Sequence, residues 1–450
     1  MPGTYKITTF GCQMNKSDSE RLQSLLTGIG MSATDSEGTA DVLVYNTCSV
    51  RQTAEDRMYG VHRNLTRLKE KNPNLIVALT GCMAGRDKDG KIRERLPLVD
   101  LFFPTEEMVY LPKRLSEISP KLIDPNAKPA ESEYQHYLAI KPSYRNIFQA
   151  YVAISNGCNK FCTYCVVPYS RGRQKDRPTA DVLLEVRDRA AHGCLEVTIL
   201  GQTVNLYNPP DKETAFSKNN PFDRSKNCFG ALMWELNHID GLERIHFTAP
   251  HPQYMDAETI AALALPKHVN YLHLPVQSGS NAVLQRMNRT YTREQYIDTI
   301  RAARHSNPDI AIGTDIIVGF CGETDQQFEE TVSLYRECDF DIAYLAQYSQ
   351  RSGTGAVRMY KDDVSKIEKK RRWTVLQRLM EETVLRKNQR YVGTSVEVLV
   401  ESCDKGLCSG NSREMKRVNF AGSPEMIGTI VSASIDHVKE WILYGSAISH

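Results

Sequence analysis

Three cysteines at close spacing limit most strongly what this chain can fold into. Cys158, Cys162 and Cys165 form a Cys-x3-Cys-x2-Cys run that follows Asn156-Gly157. Three thiolates on one tight loop can hold three corners of a [4Fe-4S] cluster, whereas an electron-transfer cluster normally takes four cysteines. One iron would then lack a protein ligand, and an open coordination position is how a metal site admits a substrate. A zinc site would need a fourth Cys or His at short spacing, and none follows.

A second set of cysteines follows three short apolar runs near the start of the chain. Cys12, Cys48 and Cys82 each close a segment with strand character, and helical patterns at 17–26 and 54–68 separate them. This β-α-β-α-β order predicts a parallel sheet, and the three thiols are expected to emerge together at its carboxyl edge. Three unrelated buried cysteines are the alternative, since free Cys is a common core residue.

Periodicity divides the rest of the chain. After a segment rich in Pro, Lys, Glu and Ala, strand and helix patterns alternate six times, which predicts a partial (β/α)6 barrel of the TIM type. The end of the chain alternates with period two, which predicts a small all-β barrel. A polar stretch at 208–227 is typical of an exposed excursion. We expect an N-terminal parallel α/β domain at 1–125, a linker at 126–145, the central barrel at 146–388 and the β-barrel at 389–450.

Composition excludes several classes of protein. The 450 residues carry a formal net charge of +2, so any nucleic-acid site must be a local basic patch. No apolar run approaches the length of a membrane span and the start lacks a secretory signal, so we expect a cytoplasmic protein. In that reducing compartment twelve cysteines favour metal or catalytic chemistry over disulfides. We expect six of them to be packing residues: Cys194, Cys228, Cys321, Cys338, Cys403 and Cys408.

The order of these parts carries a family resemblance. The spacing of Cys158, Cys162 and Cys165 is similar to that of radical S-adenosylmethionine enzymes, in which the unligated iron chelates the amino and carboxylate groups of the cosubstrate. With the second triad and the terminal β-domain, nearly the whole chain resembles the radical methylthiotransferases. Gly11-Cys-Gln-Met-Asn15 is similar to the branch acting on N6-isopentenyladenosine in tRNA, since ribosomal-protein relatives typically read Gly-Cys-Pro-Lys-Asn there. Other matching motifs are Asn46-Thr-Cys-Ser-Val-Arg51, Met287-Asn-Arg289, Asp315-Ile-Ile-Val-Gly-Phe320 and Lys416-Arg-Val-Asn-Phe420.

The resemblance implies a cofactor set, a reaction and partners. It implies two [4Fe-4S] clusters, one held by Cys12, Cys48 and Cys82 and one held by the Cys158 triad, with S-adenosylmethionine as radical source and methyl donor. The implied reaction methylthiolates carbon 2 of N6-(dimethylallyl)adenosine (i6A) at position 37 of tRNA, giving ms2i6A. The implied partners are the i6A-modified anticodon loop and an electron donor such as flavodoxin or ferredoxin; we expect a monomer and no membrane. Alternatives are methylthiolation of N6-threonylcarbamoyladenosine or of a ribosomal aspartate, and a zinc-containing RNA-binding protein.

The resemblance also assigns further site residues and one RNA-binding surface. The terminal domain resembles the TRAM-type RNA-binding β-barrel. We predict that the basic helix before it, with Lys366, Lys369, Lys370, Arg371 and Arg372, adds phosphate contacts; a solvated helix face is the alternative. Cys321 stands where the family usually has proline, and it is not expected to be a ligand. The expected cofactor-binding residues are Gly201, Gln202, Asn205, His273, Gln277, Asp315, Gly319, Glu323 and Arg351.

Overall fold

The structure is a computed structural model that describes residues 2–50, 52–127 and 136–448. Arg51 and residues 128–135 of the expected linker lie outside the described residues. Three folded units follow one another along the chain: a parallel α/β sheet, a partial barrel and a small closed β-barrel. None of the helices in the described ranges combines the length and apolar character needed to cross a bilayer.

The N-terminal unit is a five-stranded, all-parallel sheet with the strand order β2-β1-β3-β4-β5. β3 and β4 are buried along their whole length, which explains why both read as continuous apolar runs without polar alternation. Its elements are β1 (Thr4–Phe10), α1 (Gln13–Gly28), β2 (Ser32–Ala33), β3 (Val42–Thr47), α2 (Gln52–Lys71), β4 (Ile76–Thr80), α3 (Cys82–Arg86), α4 (Lys91–Glu94), β5 (Leu101–Phe102) and α5 (Leu111–Ile118).

The central unit begins with the cysteine loop and its first helix–strand repeats. A short antiparallel pair, β7 with β8, follows the first barrel strand and flanks the loop that contains Cys158. Its first elements are β6 (Gln149–Ala153), β7 (Ser155–Asn156), α6 (Val167–Arg171), β8 (Lys175–Asp176), α7 (Thr179–Ala191), β9 (Glu196–Leu200), α8 (Phe229–Asn237) and β10 (Arg244–Phe247).

The second half of this unit completes the partial barrel. β6, β9 and β10 form one parallel three-stranded sheet, and β11, β12 and β13 form another; a parallel bridge from Ile245 to His268 connects them. Thr292 and Thr324 start α11 and α12 as capping boxes, with Gln295 and Gln327 as their partners. The elements are α9 (Ala257–Ala262), β11 (Tyr271–His273), α10 (Asn281–Arg286), α11 (Arg293–Ser306), β12 (Ala311–Val318), α12 (Asp325–Cys338), β13 (Ile342–Gln347), α13 (Gly355–Met359) and α14 (Lys366–Asn388).

The polar stretch at 208–227 is largely exposed, as expected, and it is also anchored to the barrel. The Asp211 carboxylate accepts the backbone N–H groups of Thr179 and Ala180 at 2.8 and 2.9 Å and so caps the start of α7. Phe216 is buried in the barrel core. The Asp211 contacts join residues about thirty positions apart, and the Phe216 contact rests on a single apolar residue. Local composition reveals neither.

The C-terminal unit is a closed five-stranded barrel in the order β14-β15-β16-β18-β17. It packs against the beginnings of the central barrel strands, where the guanidinium of Arg244 donates to the carbonyl oxygens of Asn411 and Ser412 at 3.0 and 2.6 Å. Arg244 is fully buried there, so the two barrels share a desolvated contact. The strands are β14 (Ser395–Asp404), β15 (Leu407–Ser412), β16 (Arg417–Ala421), β17 (Ile430–Val438) and β18 (Leu443–Ala447).

Candidate active site

The two cysteine triads meet at the junction of the N-terminal sheet and the central barrel. α3 begins at Cys82 and packs against α6, which starts just after Cys165. The helices approach so closely that a Cβ atom on Gly85 would lie 2.1 Å from the carbonyl oxygen of Ser170. A side chain at this position of α3 would collide with the backbone of α6. Glycine therefore allows the two helices, and with them the two triads, to lie close together.

The loop that carries the first triad, which is Cys158, Cys162 and Cys165, is closed at its base. β7 and β8 pair antiparallel, so residues 157–174 form one excursion from the end of the first barrel strand. Gly157 has φ +80°, and a Cβ atom there would lie 2.2 Å from the carbonyl oxygen of Arg173. The Cys158 N–H also donates to the Gly172 carbonyl at 3.1 Å. The loop that carries the three cysteines therefore requires glycine at its first residue, where both the positive φ and the close backbone contact exclude a side chain.

Each sulfur of this triad lies beside a nitrogen donor. Backbone N–H groups donate to Cys158 Sγ at 3.3 Å and to Cys165 Sγ at 3.5 Å. The Arg289 guanidinium donates to Cys162 Sγ at 3.4 Å. The Thr203 hydroxyl lies 3.3 Å from Cys158 Sγ. N–H donors stabilise thiolate charge and tune metal-bound sulfur, so Arg289 and Thr203 join the site although the sequence reasoning gave them no role.

The second triad lies at the carboxyl edge of the N-terminal sheet. Cys12, Cys48 and Cys82 come within two residues of the ends of β1, β3 and β4, which are neighbours in the sheet order. The Cys48 sulfur accepts the Val50 N–H at 3.3 Å, and Cys12 caps the start of α1. Parallel strands end at one edge, and this geometry brings together thiols that are far apart in sequence.

Arg171 links the second triad to the first loop. Its buried guanidinium donates to Cys82 Sγ at 3.1 Å, to Asn156 Oδ1 at 3.1 Å and to Asp18 Oδ2 at 2.5 Å. Asp18 lies on α1, Asn156 ends β7 and Arg171 ends α6, so one side chain holds elements of both units. Sequence reasoning missed this residue because an arginine at the end of a short helix has no local signal of a buried partner.

The six thiols differ in acidity because of their neighbours. A hydrogen bond from the Cys48 thiol lowers the pKa of Cys12 to about 6, and the positive charge of Arg171 adds to that shift. The same bond raises the pKa of Cys48, which keeps its proton. Burial raises the pKa of Cys158, and it raises the pKa of Cys165 to about 12. Metal binding at the first loop must therefore displace protons.

The donor sets fit iron–sulfur clusters held by three cysteines each. Both triads offer only sulfur, with N–H donors around it, as thiolate-bound clusters require. The hydroxyls of Thr47 and Thr80, next to Cys48 and near Cys82, are buried without a hydrogen-bond partner among the described residues. Within the described ranges no three His, Cys, Asp or Glu side chains converge on a single metal ion. A cubane places each cysteine on a different iron, so its ligands need not converge in that way.

A cavity of about 660 Å³ lies between the central barrel and the C-terminal barrel. It reaches Gln13, the residue next to Cys12, and Trp441, which is 48 % exposed, lies on its border. Two of the expected site residues line it, His273 and Asp315. The cavity therefore extends from a residue beside Cys12 to the terminal domain, and its size and position suit one nucleotide.

His273 sits at the centre of a polar network in this cavity. Its Nε2 lies 3.2 Å from Asp315 Oδ1, and its Nδ1 lies 3.1 Å from the Tyr271 hydroxyl. Gln277 has φ +71° and its N–H donates to the Asp315 carbonyl at 2.8 Å, so it shapes the strand end. Tyr271 was missed by the sequence reasoning, although its two-residue spacing from His273 on one strand places both side chains on the same face.

The Gly201 motif lies at the end of β9, beside the first triad. A Cβ atom on Gly201 would lie 2.7 Å from Ser155 Oγ, and Gln202 Oε1 is buried without a partner among the described residues. The Asn205 amide binds the backbone of His251 at both ends, at 3.1 and 2.7 Å. Gln202 thus has a free acceptor, whereas Asn205 is occupied in holding the neighbouring loop.

Gly319 and Glu323 lie in a buried ionic network with α14. Glu323 pairs with Arg372 at 2.8 Å and accepts the Gly319 N–H at 2.6 Å. Lys369 is buried as well and pairs with Asp362 at 2.6 Å. Two of the five basic residues expected to contact RNA are therefore used inside the protein, and that prediction was wrong for Lys369 and Arg372. Charge patterning does not distinguish these from exposed cations, because it does not show that Lys369 and Arg372 become buried or that Arg372 meets Glu323, 49 positions away.

Arg351 lies beside the second triad. Its guanidinium contacts the Gln52 side chain and donates to the Val50 carbonyl at 3.4 Å, next to Cys48. Cys321 is buried in an apolar cluster with Phe320 and Tyr348. Arg351 therefore joins the central barrel to α2, and Cys321 packs as expected.

The partial parallel barrel, with a three-cysteine loop after its first strand, defines a radical S-adenosylmethionine protein. Models of the radical SAM superfamily, of the uncharacterized protein family UPF0004 and of the TRAM domain match residues 152–335, 4–104 and 389–448. The chain is 40% identical over 99% of its length to tRNA-2-methylthio-N(6)-dimethylallyladenosine synthase of Bacillus subtilis, covering 86% of that protein. It is 38% identical over 99% of its length to the synthase of that name from Clostridium botulinum strain Hall, covering 97%. The chain belongs to this family of synthases.

Solved structures share the fold at low sequence identity. The radical S-adenosylmethionine methyltransferase TsrM from Kitasatospora setae, with cobalamin and a [4Fe-4S] cluster bound, aligns at a TM-score of 0.54 with 13% identity over 95% of this chain and 83% of its own. The cobalamin-dependent enzyme OxsB aligns at a TM-score of 0.53 with 13% identity, over 92% of this chain and 64% of its own. At this level of identity the likeness is one of fold alone.

Proposed function

We propose that this protein methylthiolates carbon 2 of N6-(dimethylallyl)adenosine at position 37 of tRNA, giving ms2i6A. The observation that carries the proposal is the meeting of two three-cysteine sites at one junction, beside a cavity that reaches the terminal β-barrel. We assign the ligands of the two [4Fe-4S] clusters to Cys12, Cys48 and Cys82 and to Cys158, Cys162 and Cys165. Bound there with S-adenosylmethionine, the clusters supply radical and sulfur-transfer chemistry that no side chain provides.

The residues of the chain bind and orient the substrate. The cavity admits a nucleotide whose base lies along β11 and β12, where His273 and Asp315 offer polar contacts to the adenine edge. Trp441 and Tyr344 lie at its border, as do Lys416 and Arg417, which pair with Asp341 and Glu401. Orientation at a closed junction removes much of the entropic barrier to a reaction between separate groups. We accordingly assign chemistry to residues 1–125 and 146–388 and RNA contact to 389–450.

Partners and setting follow from the proposed chemistry. Reductive cleavage of S-adenosylmethionine consumes an electron, so we propose an electron-carrier protein such as flavodoxin or ferredoxin as a partner. We further propose that the protein acts as a monomer in the cytoplasm, where tRNA is available.

A substrate comparison tests the proposed function. The anaerobically reconstituted protein is incubated with S-adenosylmethionine, dithionite and anticodon stem-loops that carry i6A, N6-threonylcarbamoyladenosine or unmodified adenosine at position 37. We expect mass spectrometry of the nucleosides to show ms2i6A from the first RNA only. A product from the threonylcarbamoyl RNA instead would support the alternative substrate and overturn the assignment.

Trp441→Ala tests the place of the nucleotide. Stacking of one base on an aromatic side chain is worth about 1–3 kcal/mol, so we expect the KM for the i6A stem-loop to rise about tenfold. The kcat at saturating RNA and the RNA-free cleavage of S-adenosylmethionine should stay at the level of the unaltered protein, because Trp441 belongs to the C-terminal barrel, between β17 and β18. Trp234→Ala is the matched control, since Trp234 lies on α8 against His238. Equal KM values for the two variants would show that the RNA does not bind at Trp441.

A further inference from the structure

Two cysteines outside both triads face each other in the C-terminal barrel. Cys403 is the last residue but one of β14, Cys408 is the second residue of β15, and the strand register pairs them directly. Their sulfurs lie 2.8 Å apart. Sequence reasoning expected both to be packing residues, and the partly buried Cys403 does pack on the core that contains Cys408. Sulfur atoms this close indicate more than packing, because the two cysteines are placed to form a disulfide bond when an oxidant is present.

The hairpin geometry allows a bond between them. Lys405 and Gly406 have φ +50° and +80°, so the strands are joined by a two-residue turn with positive φ at both positions. In such a hairpin the flanking pair, Asp404 and Leu407, exchanges hydrogen bonds, and the next pair does not. Cα atoms of a non-hydrogen-bonded pair are about 4.5 Å apart, inside the range of roughly 4.4–6.8 Å that disulfides span.

The two thiols differ in access. Cys403 is partly exposed at the barrel rim, whereas Cys408 is buried and contacts the Ser423 carbonyl oxygen at 3.4 Å. Burial and the neighbouring Cys403 thiol raise the pKa of Cys408 to about 11. An incoming reagent therefore meets Cys403 first, and Cys408 is placed to react second from within.

We propose that Cys403 and Cys408 form a reversible dithiol site that exchanges with low-molecular-weight disulfides. The Cys403 thiolate attacks one sulfur of the small disulfide, forms a mixed disulfide and releases one small thiolate. The Cys408 thiolate then attacks Cys403 Sγ, forms the Cys403–Cys408 bond and releases the second small thiolate. The two thiol protons pass to these leaving thiolates, and the two electrons reduce the small disulfide.

Peptide mapping tests the site without reference to activity. The anaerobically reconstituted full chain is equilibrated with oxidised and reduced glutathione at several ratios, quenched with acid, alkylated and digested with trypsin. Cleavage after Lys405 separates residues 391–405 from 406–413, so the reduced protein yields two alkylated peptides and the oxidised protein yields one linked pair. We expect the linked pair to rise with the oxidised fraction and to disappear again with excess reduced glutathione.

Single variants separate the two steps. Cys408→Ser should accumulate glutathione on peptide 391–405, because the first step occurs and the second is lost. Cys403→Ser should leave peptide 406–413 unmodified in the folded protein. Cys338→Ser, a buried cysteine on α12, is the control and should give the linked pair at the unaltered yield. A linked pair that forms only after denaturation, or a Cys408→Ser protein without the adduct, would overturn the proposal.

Discussion

Replacing Cys12, Cys48 and Cys82 together by alanine should leave cleavage of S-adenosylmethionine active and stop methylthio transfer completely. The Cys158 loop keeps its own N–H donors and its own closure by β7 and β8, none of which involves these three residues. Iron content should fall from about eight to about four per chain, the content of one cubane cluster. Iron analysis, 5′-deoxyadenosine release and nucleoside mass spectrometry measure the three quantities.

Two further triple variants make this result specific. Alanine at Cys158, Cys162 and Cys165 should lower iron to the same level but abolish both cleavage and transfer. Alanine at the buried packing cysteines Cys194, Cys228 and Cys338 should retain all iron and both activities. If the first triple variant still formed ms2i6A, the sulfur-delivery role of the N-terminal triad would be wrong.

Arg171→Met should destabilise the junction and weaken the second site. Removing the guanidinium leaves the Asp18 carboxylate buried without its partner, and breaking a buried pair in this way costs about 3–5 kcal/mol. It also removes the N–H donor from Cys82 Sγ, which lies 3.1 Å away. We expect a lower midpoint in denaturant, about half the iron of the unaltered protein and little methylthio transfer.

The matched control is Arg177→Met. Arg177 is also buried and pairs with Glu185 at 2.7 Å, but its partners lie within the central unit and it contacts no thiol. We expect the Arg177→Met variant to have a lower free energy of unfolding. It should still retain both clusters under conditions where circular dichroism shows an intact fold. Full iron and full transfer in Arg171→Met would show that the contact to Cys82 is not needed to hold the second site.

Much of the site follows from short-range sequence patterns. The spacing of Cys158, Cys162 and Cys165 depends on eight consecutive positions, and each cysteine of the other triad lies within two residues of the end of a strand. Such features are encoded by local periodicity and by the common edge of parallel strands. They were sufficient to predict the order of the three folded units and the resemblance to the family.

Contacts between distant segments were decided by the tertiary structure alone. Arg171 and Cys82 are 89 positions apart, and only the packing of α3 on α6 makes them neighbours. Likewise, Lys369 and Arg372 have the pattern of a basic surface, but the fold buries both, and Arg372 pairs with Glu323 from a distant loop. Sequence by itself determined which thiols end which elements, because hydrogen-bonding periodicity acts over a few residues. Which charge each thiol or carboxylate meets depends on how whole units dock, and no local pattern records that.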